Sequence, residues 1–203
     1  MIGPYRSTRD FVFNGFVLQR RLERVSSSDG EEIVGLLGLG ISGEEIIDPY
    51  IDKIDSEHLR QAKRLSQYYT VIYVIENFLR SMISSLLDEE SQEDGSDDPS
   101  WWKEKAPEHV KKYARETIKK ETDVAVSQRA TESIQYVTFG HLSDIIISNW
   151  DVFQLTFTSQ KAVQRVLGLL NTIRGPIAHC NELQDDEVAR LFLAVRDFFR
   201  ILK

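Results

Sequence analysis

The chain has 203 residues, long enough to bury one main core with a small appendage, and its composition, 41% hydrophobic and 28% charged, excludes wholesale disorder. The single cysteine, Cys180, excludes an intrachain disulfide, and the four histidines at positions 58, 109, 141 and 179 are too far apart in sequence for metal-ligand spacing, so neither a metal site nor a cofactor is expected. The net charge of −7 conceals an asymmetry: residues 1–100 carry 10 basic and 19 acidic side chains and residues 101–203 carry 15 and 13, so any polyanion should be held by the second half.

Tyr5 and Arg6 follow the first residues where a secretory leader would carry its apolar region. The most apolar run, Tyr68 to Phe78, contains Glu76 and is too short to span a bilayer, so no membrane contact and a cytoplasmic location are expected. Residues 1–57 read as a small N-terminal unit whose secondary structure the sequence leaves open. It begins with the apolar run Phe11 to Leu18 and a basic cluster, Arg20, Arg21 and Arg24. Ser26 to Gly30 is a turn, after which Glu31–Leu37 and Glu44–Ile51 are candidate short helices broken at Gly38 and Gly40, the second opened by a Ser42–Glu45 capping box.

The string Gly38-Leu39-Gly40-Ile41-Ser42-Gly43 fits the dinucleotide pattern GxGxxG, but that pattern needs a buried strand before it and several helical turns after it, and Pro49 interrupts almost at once. A turn between short helices is the reading. A DNA-binding helix-turn-helix is disfavoured, because nine acidic residues between Asp29 and Glu57 face Lys53 as the lone base and would repel phosphates. Residues 1–57 are better read as a docking arm for a regulatory protein, and residues 58–203 as the main domain.

Leu65, Tyr69, Ile72, Leu79, Ile83 and Leu86 recur at helical spacing and predict an amphipathic core helix from Leu59 to Leu87. Glu76 falls on or near its apolar stripe, where a carboxylate needs a partner. Arg80 one turn on offers a structural ion pair, and a cationic site residue is the alternative. Residues 88–98 are acidic, lack apolar side chains and predict a solvated connector. Between Trp101 and Glu121, seven basic residues that include Lys111, Lys112 and Arg115 accompany Trp101, Trp102 and Tyr113, a mixture suited to phosphate contact and base stacking. The same segment interleaves four glutamates, and Val110, Tyr113, Thr117 and Ile118 also form an ordinary buried stripe. Asp123–Val137 predicts another helix, Phe139 to Leu142 a turn, Thr158 or Ser159 the cap of a helix from Gln160 to Arg174, and Asp185 or Asp186 the cap of the last. The total is about five helices and an all-α fold.

The chemistry concentrates in Ile173-Arg174-Gly175-Pro176-Ile177-Ala178-His179, where a permanent cation precedes by five residues an imidazole able to exchange protons near neutral pH. In an unbroken helix the two side chains would stand about 140° apart. Gly175-Pro176 is expected to break the helix and redirect His179 toward Arg174 or toward a second copy of the chain.

This Arg-x4-His, placed between the last two core helices, resembles the signature of HEPN domains, all-helical modules that are frequently ribonucleases. Val74-Ile75-Glu76-Asn77-Phe78-Leu79-Arg80, Trp101-Trp102 and the run Phe139-Gly140-x-Leu142-x-x-Ile145-Ile146-x-x-Asn149-Trp150 look like HEPN domains that accompany RNA endonucleases. The resemblance covers roughly residues 59–203. It implies an HEPN-like helical bundle, a homodimer whose two motifs line one cleft, and metal-independent RNA cleavage by 2′-hydroxyl attack on phosphate. Arg174 and His179 would be catalytic. By their own positions, Glu76 near the apolar stripe, Asn171 one turn before Arg174 and Asn181 just past His179 are the supporting candidates, and the expected role is that of a toxin or a stress or defence effector. Gly175 stands where many members carry a polar residue, and a non-catalytic dimer that binds RNA or protein is the alternative. Cys180 reads as a small packed residue.

Overall fold

A computed structural model of the chain describes residues 48–88, 98–124 and 128–203. The GxGxxG-like string, the Ser42–Glu45 capping box, the apolar run at 11–18, the candidate helices as far as residue 47 and the acidic connector at 89–97 lie outside the described residues. The chain divides into two compact units, Met1–Lys63 and Arg64–Lys203. In the first, the expected end of an α-helix at Ile51 is instead a 3-10 turn, Asp48–Lys53, with Pro49 in its opening positions, where a missing N–H loses no hydrogen bond.

The described residues form seven α-helices: α1 (Ser56–Asp88), α2 (Ser100–Lys105), α3 (Glu108–Asp123), α4 (Phe139–Ser148), α5 (Trp150–Phe153), α6 (Gln160–Ala178) and α7 (Asp185–Ile201). Five of them have ten residues or more, and the described residues hold no strand beyond a single antiparallel bridge between Phe157 and Leu202. The fold is all-α.

In α1, Ile72, Ile75, Leu79, Met82, Ile83 and Leu87 are buried. They recur at steps of three and four because only that spacing keeps one face of a 3.6-residue turn against the core. Tyr69, expected on this stripe, is 55% exposed. The expectation that no stretch is long enough to span a bilayer is corrected, since α1 contains an 18-residue window of mean hydropathy 1.2; 44% of that window is buried inside the structure. The buried residues of α1, from Ile72 to Leu87, face the protein's own core.

The basic segment is split at Ala106-Pro107, because the residue before a proline is driven out of the helical region, and Ala106 accordingly sits at ψ 131°. Three further expectations are corrected. The helix expected over Asp123–Val137 does not form among its described residues 128–137. Asp98 takes the Ser133 amide and hydroxyl at 2.6 Å each, the Tyr136 hydroxyl donates to Ala130 O at 2.7 Å, and the described part of this stretch keeps one 3-10 turn, Ser133–Tyr136. Phe139–Leu142 opens α4 instead of turning the chain, with Thr138 and His141 forming a reciprocal capping box. Ser159 caps α6 as expected, whereas α7 is capped by Gln184 with Glu187, leaving Asp185 and Asp186 in its first turn.

α6 packs against α4 on one side and α7 on the other, and Phe198 of α7 meets Phe78 of α1 edge to face at 5.9 Å between centroids. Trp101, Phe139, Phe153, Phe157 and Phe198 are fully buried.

Candidate active site

Arg174, near the end of α6, donates its Nε to Glu76 Oε2 of α1 at 2.9 Å. The other carboxylate oxygen, Oε1, accepts from Arg80 Nη2 at 2.6 Å, and Arg80 also donates to the backbone oxygens of Ile134 at 3.3 Å and Val137 at 2.9 Å. Glu76 and Arg80 lie one turn apart on α1, so the stripe that buries Ile75 and Leu79 carries both into the interior edge. A buried carboxylate is tolerated there because each oxygen faces a guanidinium. The ion pair and the contact with the motif arginine, alternatives on sequence, are made by the same side chain.

Arg174 is bound through Nε alone, so among the described residues its two terminal nitrogens carry no hydrogen bond, and its side chain is 30% exposed. Arg174 lines an open groove of about 210 Å³ together with Tyr69, Tyr73, Glu76, Asn77 and Arg80 of α1 and with Gln135, Ile177 and Ala178. Two guanidiniums against one carboxylate leave this groove net positive, the polarity a phosphate needs. Tyr73, Asn77 and Gln135 went unnoticed as site residues in the sequence, and Tyr69 was assigned to the core. The available signal was Tyr69, Tyr73 and Asn77 recurring every four residues, one face of a helix.

The expected break at Gly175-Pro176 is absent. α6 runs through Pro176 to Ala178, the His179 amide donates to Gly175 O and Pro176 O at 3.1 Å each, and His179 is the exposed C-terminal cap. The proline sits in the last turn and deprives only the Thr172 carbonyl of its helical partner. His179 lies just past the last helical residue, so the roughly 140° of an unbroken helix does not fix its direction. Arg174 lines the groove and His179 is not among the residues that line it.

The helix stops at Cys180, whose φ of 56° is left-handed. The Cys180 amide donates to Ile177 O at 3.2 Å and the Asn181 amide to Pro176 O at 2.9 Å, the two bonds of a Schellman end. Cys180 is exposed, not packed, because a left-handed turn swings it off the helix surface. Asn181 is exposed beyond this turn, and Asn171 lies against α4, its Nδ2 3.4 Å from where a Cβ on Gly140 would stand. Neither lines the Arg174 groove.

On α3, Lys111 pairs with Glu108 at 3.1 Å, Arg115 with Glu108 at 2.8 Å and Lys112 with Glu116 at 4.0 Å. Arg115 and Lys111 hold the Glu108 carboxyl below its usual range through their hydrogen bonds. Trp101 and Trp102 are both buried and packed edge to face at 5.6 Å, so the stacking role envisaged for them is corrected: they are core residues. A second opening, lined by His109, Ser143, Asp144, Ile147, Ser148 and Gln164, lies between α3, α4 and α6. There His109 Nε2 meets Asp144 Oδ2 at 2.9 Å and the His109 and His141 rings are 6.0 Å apart, an association that their separation in sequence hid. Among the described residues no cluster of three or more His, Cys, Asp or Glu is arranged to hold a metal ion.

An all-α bundle whose penultimate helix ends in Arg174 and His179, with Glu76-Arg80 on its first core helix, has the architecture of a HEPN domain. A Swt1-like HEPN family model matches residues 71–203, well over half of the chain, and the chain belongs to that family. Comparison with curated proteins and with solved structures finds no match.

Proposed function

We propose that the domain is a metal-independent endoribonuclease in which Arg174 binds the scissile phosphate and His179 transfers the proton. The observation that carries this reading is the state of Arg174: Glu76 fixes the guanidinium through Nε and leaves its terminal nitrogens at a positive groove, where they can donate to the non-bridging phosphate oxygens. Membership of a HEPN family is compatible with RNase activity. The 2′-hydroxyl oxygen attacks the adjacent phosphorus, its proton passes to an imidazole, and the 5′-oxygen of the next nucleotide leaves with a proton, producing a 2′,3′-cyclic phosphate.

Because His179 does not line the groove that Arg174 of the same chain lines, this chemistry calls for a second copy whose His179 approaches the first copy's Arg174. Leu169 on α6 and Phe192 and Leu193 on α7 are exposed apolar side chains on the two helices next to His179, and we assign them to that homodimer interface. In this reading Lys111, Lys112 and Arg115 extend phosphate contact along α3, residues 1–57 dock a regulatory protein, and the enzyme acts in the cytoplasm as a toxin or a stress or defence effector.

The test is cleavage of end-labelled RNA in EDTA by the wild type, Arg174→Ala and His179→Ala. The expected result is cutting by the wild type alone, with 2′,3′-cyclic ends. Cleavage that survives both substitutions would overturn the assignment. A second reading, a non-catalytic dimer that binds RNA or protein, is favoured by one feature: Arg174 already has an anionic partner in Glu76. Saturable RNA binding without product, weakened by neutralising Lys111 and Lys112, would select it.

A further inference from the structure

The groove beside Arg174 has two components, and the phosphate chemistry uses only one. Its cationic end is Arg174 with Arg80 and Glu76. Its other end is a pair of tyrosines, Tyr69 and Tyr73, successive on one face of α1 and exposed at 55% and 57%. Their rings are 6.3 Å apart at 33°, a tilted, contiguous ledge of aromatic surface that the core does not use. Two amides border it. Asn77 Nδ2 donates to Tyr73 O at 2.9 Å, which leaves its Oδ1 as an acceptor, and the Gln135 side chain has no hydrogen-bond partner among the described residues.

An aromatic ledge, two amides with unused polar atoms and an adjacent guanidinium match the three parts of a nucleotide: the π-face of the base, its hydrogen-bonding edge and its phosphate. We infer that Tyr69 and Tyr73 form a stacking platform for an unpaired nucleobase next to the phosphate on Arg174, with Asn77 and Gln135 facing the base edge, so that the substrate is single-stranded RNA. The inference rests on the assignment of Arg174 to an RNA phosphate. Duplex RNA is excluded as the occupant because its bases are stacked on one another and offer no free face. A second protein copy seated on the tyrosine ledge itself fits less well, since an interface centre is depleted of charge and the ledge adjoins three charged side chains, Glu76, Arg80 and Arg174.

The experiment measures binding of a 2′-O-methyl RNA strand, which cannot be cleaved through its 2′ position, to the full-length protein by fluorescence anisotropy, alongside cleavage of the unmodified strand. The same strand annealed to its complement is the duplex probe. Tyr69→Ala and Tyr73→Ala are each expected to weaken single-strand binding roughly tenfold, while Tyr69→Phe and Tyr73→Phe bind as the wild type does and the duplex binds more weakly than the single strand. Both tyrosines are exposed, so unchanged thermal melts identify folded variants, and the phenylalanine pair retains the test if an alanine variant unfolds. Wild-type affinity in the alanine variants, or equal affinity for the duplex, overturns the platform. Alanine variants that lose self-association in light scattering also overturn it, by assigning the rings to a copy-to-copy interface. His179-dependent cleavage with unaffected tyrosine variants refutes the platform alone; tyrosine-dependent binding with no product refutes catalysis alone.

Discussion

Glu76 touches two arginines with its two oxygens, and its removal would strand charge on both. Arg80 is about as buried as Glu76, whereas Arg174 reaches the groove and retains access to water. Glu76→Ala should therefore cost about 3 kcal/mol or more in urea unfolding, because it leaves the buried Arg80 guanidinium without its anion. Arg174→Ala should cost less, since Glu76 keeps Arg80. The reverse order would remove Glu76 from the centre of this network. His141 is the residue at which pH should act. Its Nδ1 accepts from the Thr138 amide at 3.3 Å, and burial pushes its pKa below the ordinary 6.5, assisted by His109 and opposed by Asp144. A histidine with a lowered folded pKa binds protons more readily when unfolded. Its contribution is complete above about pH 6.5 and is lost as the pH falls from there through the folded value. The melting temperature should decline on acidification below neutrality, and His141→Gln, which keeps an N3 acceptor without titrating, should flatten the decline. An unchanged slope in that variant would clear His141.

At the scale of the element, α6 is instructive because its sequence signals compete. Gly175-Pro176 reads as a break, yet the ring sits in the last turn, where one lost hydrogen bond is tolerated and the packing of Ile173 and Ile177 keeps the helix in place. The stop is made later, by a residue type poorly suited to it: Cys180 at φ 56° occupies the position that glycine fills at most Schellman ends. Cys180→Gly should raise stability by roughly 1 kcal/mol by relieving the left-handed penalty, with cleavage unaltered. A fall in melting temperature would mean that the cysteine side chain makes a compensating contact. Residues 128–137 err in the opposite direction: a helix is expected, but Asp98 takes the Ser133 amide from 35 positions away, a bond that no local pattern contains, and Tyr136 closes a local loop on Ala130. The 3-10 turn there brings Gln135 to the Arg174 groove, and Ile134 and Val137 supply the carbonyls that hold Arg80.

For the whole molecule, the quantity on which the proposed reaction turns is the number of chains in the functional unit. His179 does not line the groove that Arg174 lines, so the proposed reaction needs a second copy to bring both to one phosphodiester. Phe192, the most exposed large apolar side chain of α7, is the residue to charge. Phe192→Asp should convert the proposed dimer to a folded monomer in light scattering and abolish cleavage with the Arg174 groove intact. A dimer that persists would place the interface elsewhere. The all-α fold, the HEPN family, part of the core face of α1 and the Ser159 cap were legible in the sequence, because helical periodicity, capping chemistry and short motifs are properties of neighbouring residues. Hydrophobic spacing also put Glu76 beside the core, and charge pairing put Arg80 one turn away. Only the tertiary structure decided that Glu76 reaches Arg174 across 98 positions, that Trp101 and Trp102 are buried, that Tyr69 and Tyr73 are left outside and that His109 meets Asp144. Those outcomes depend on which faces of distant helices pack together, a choice made by the burial of the whole core and written in no local stretch of the chain.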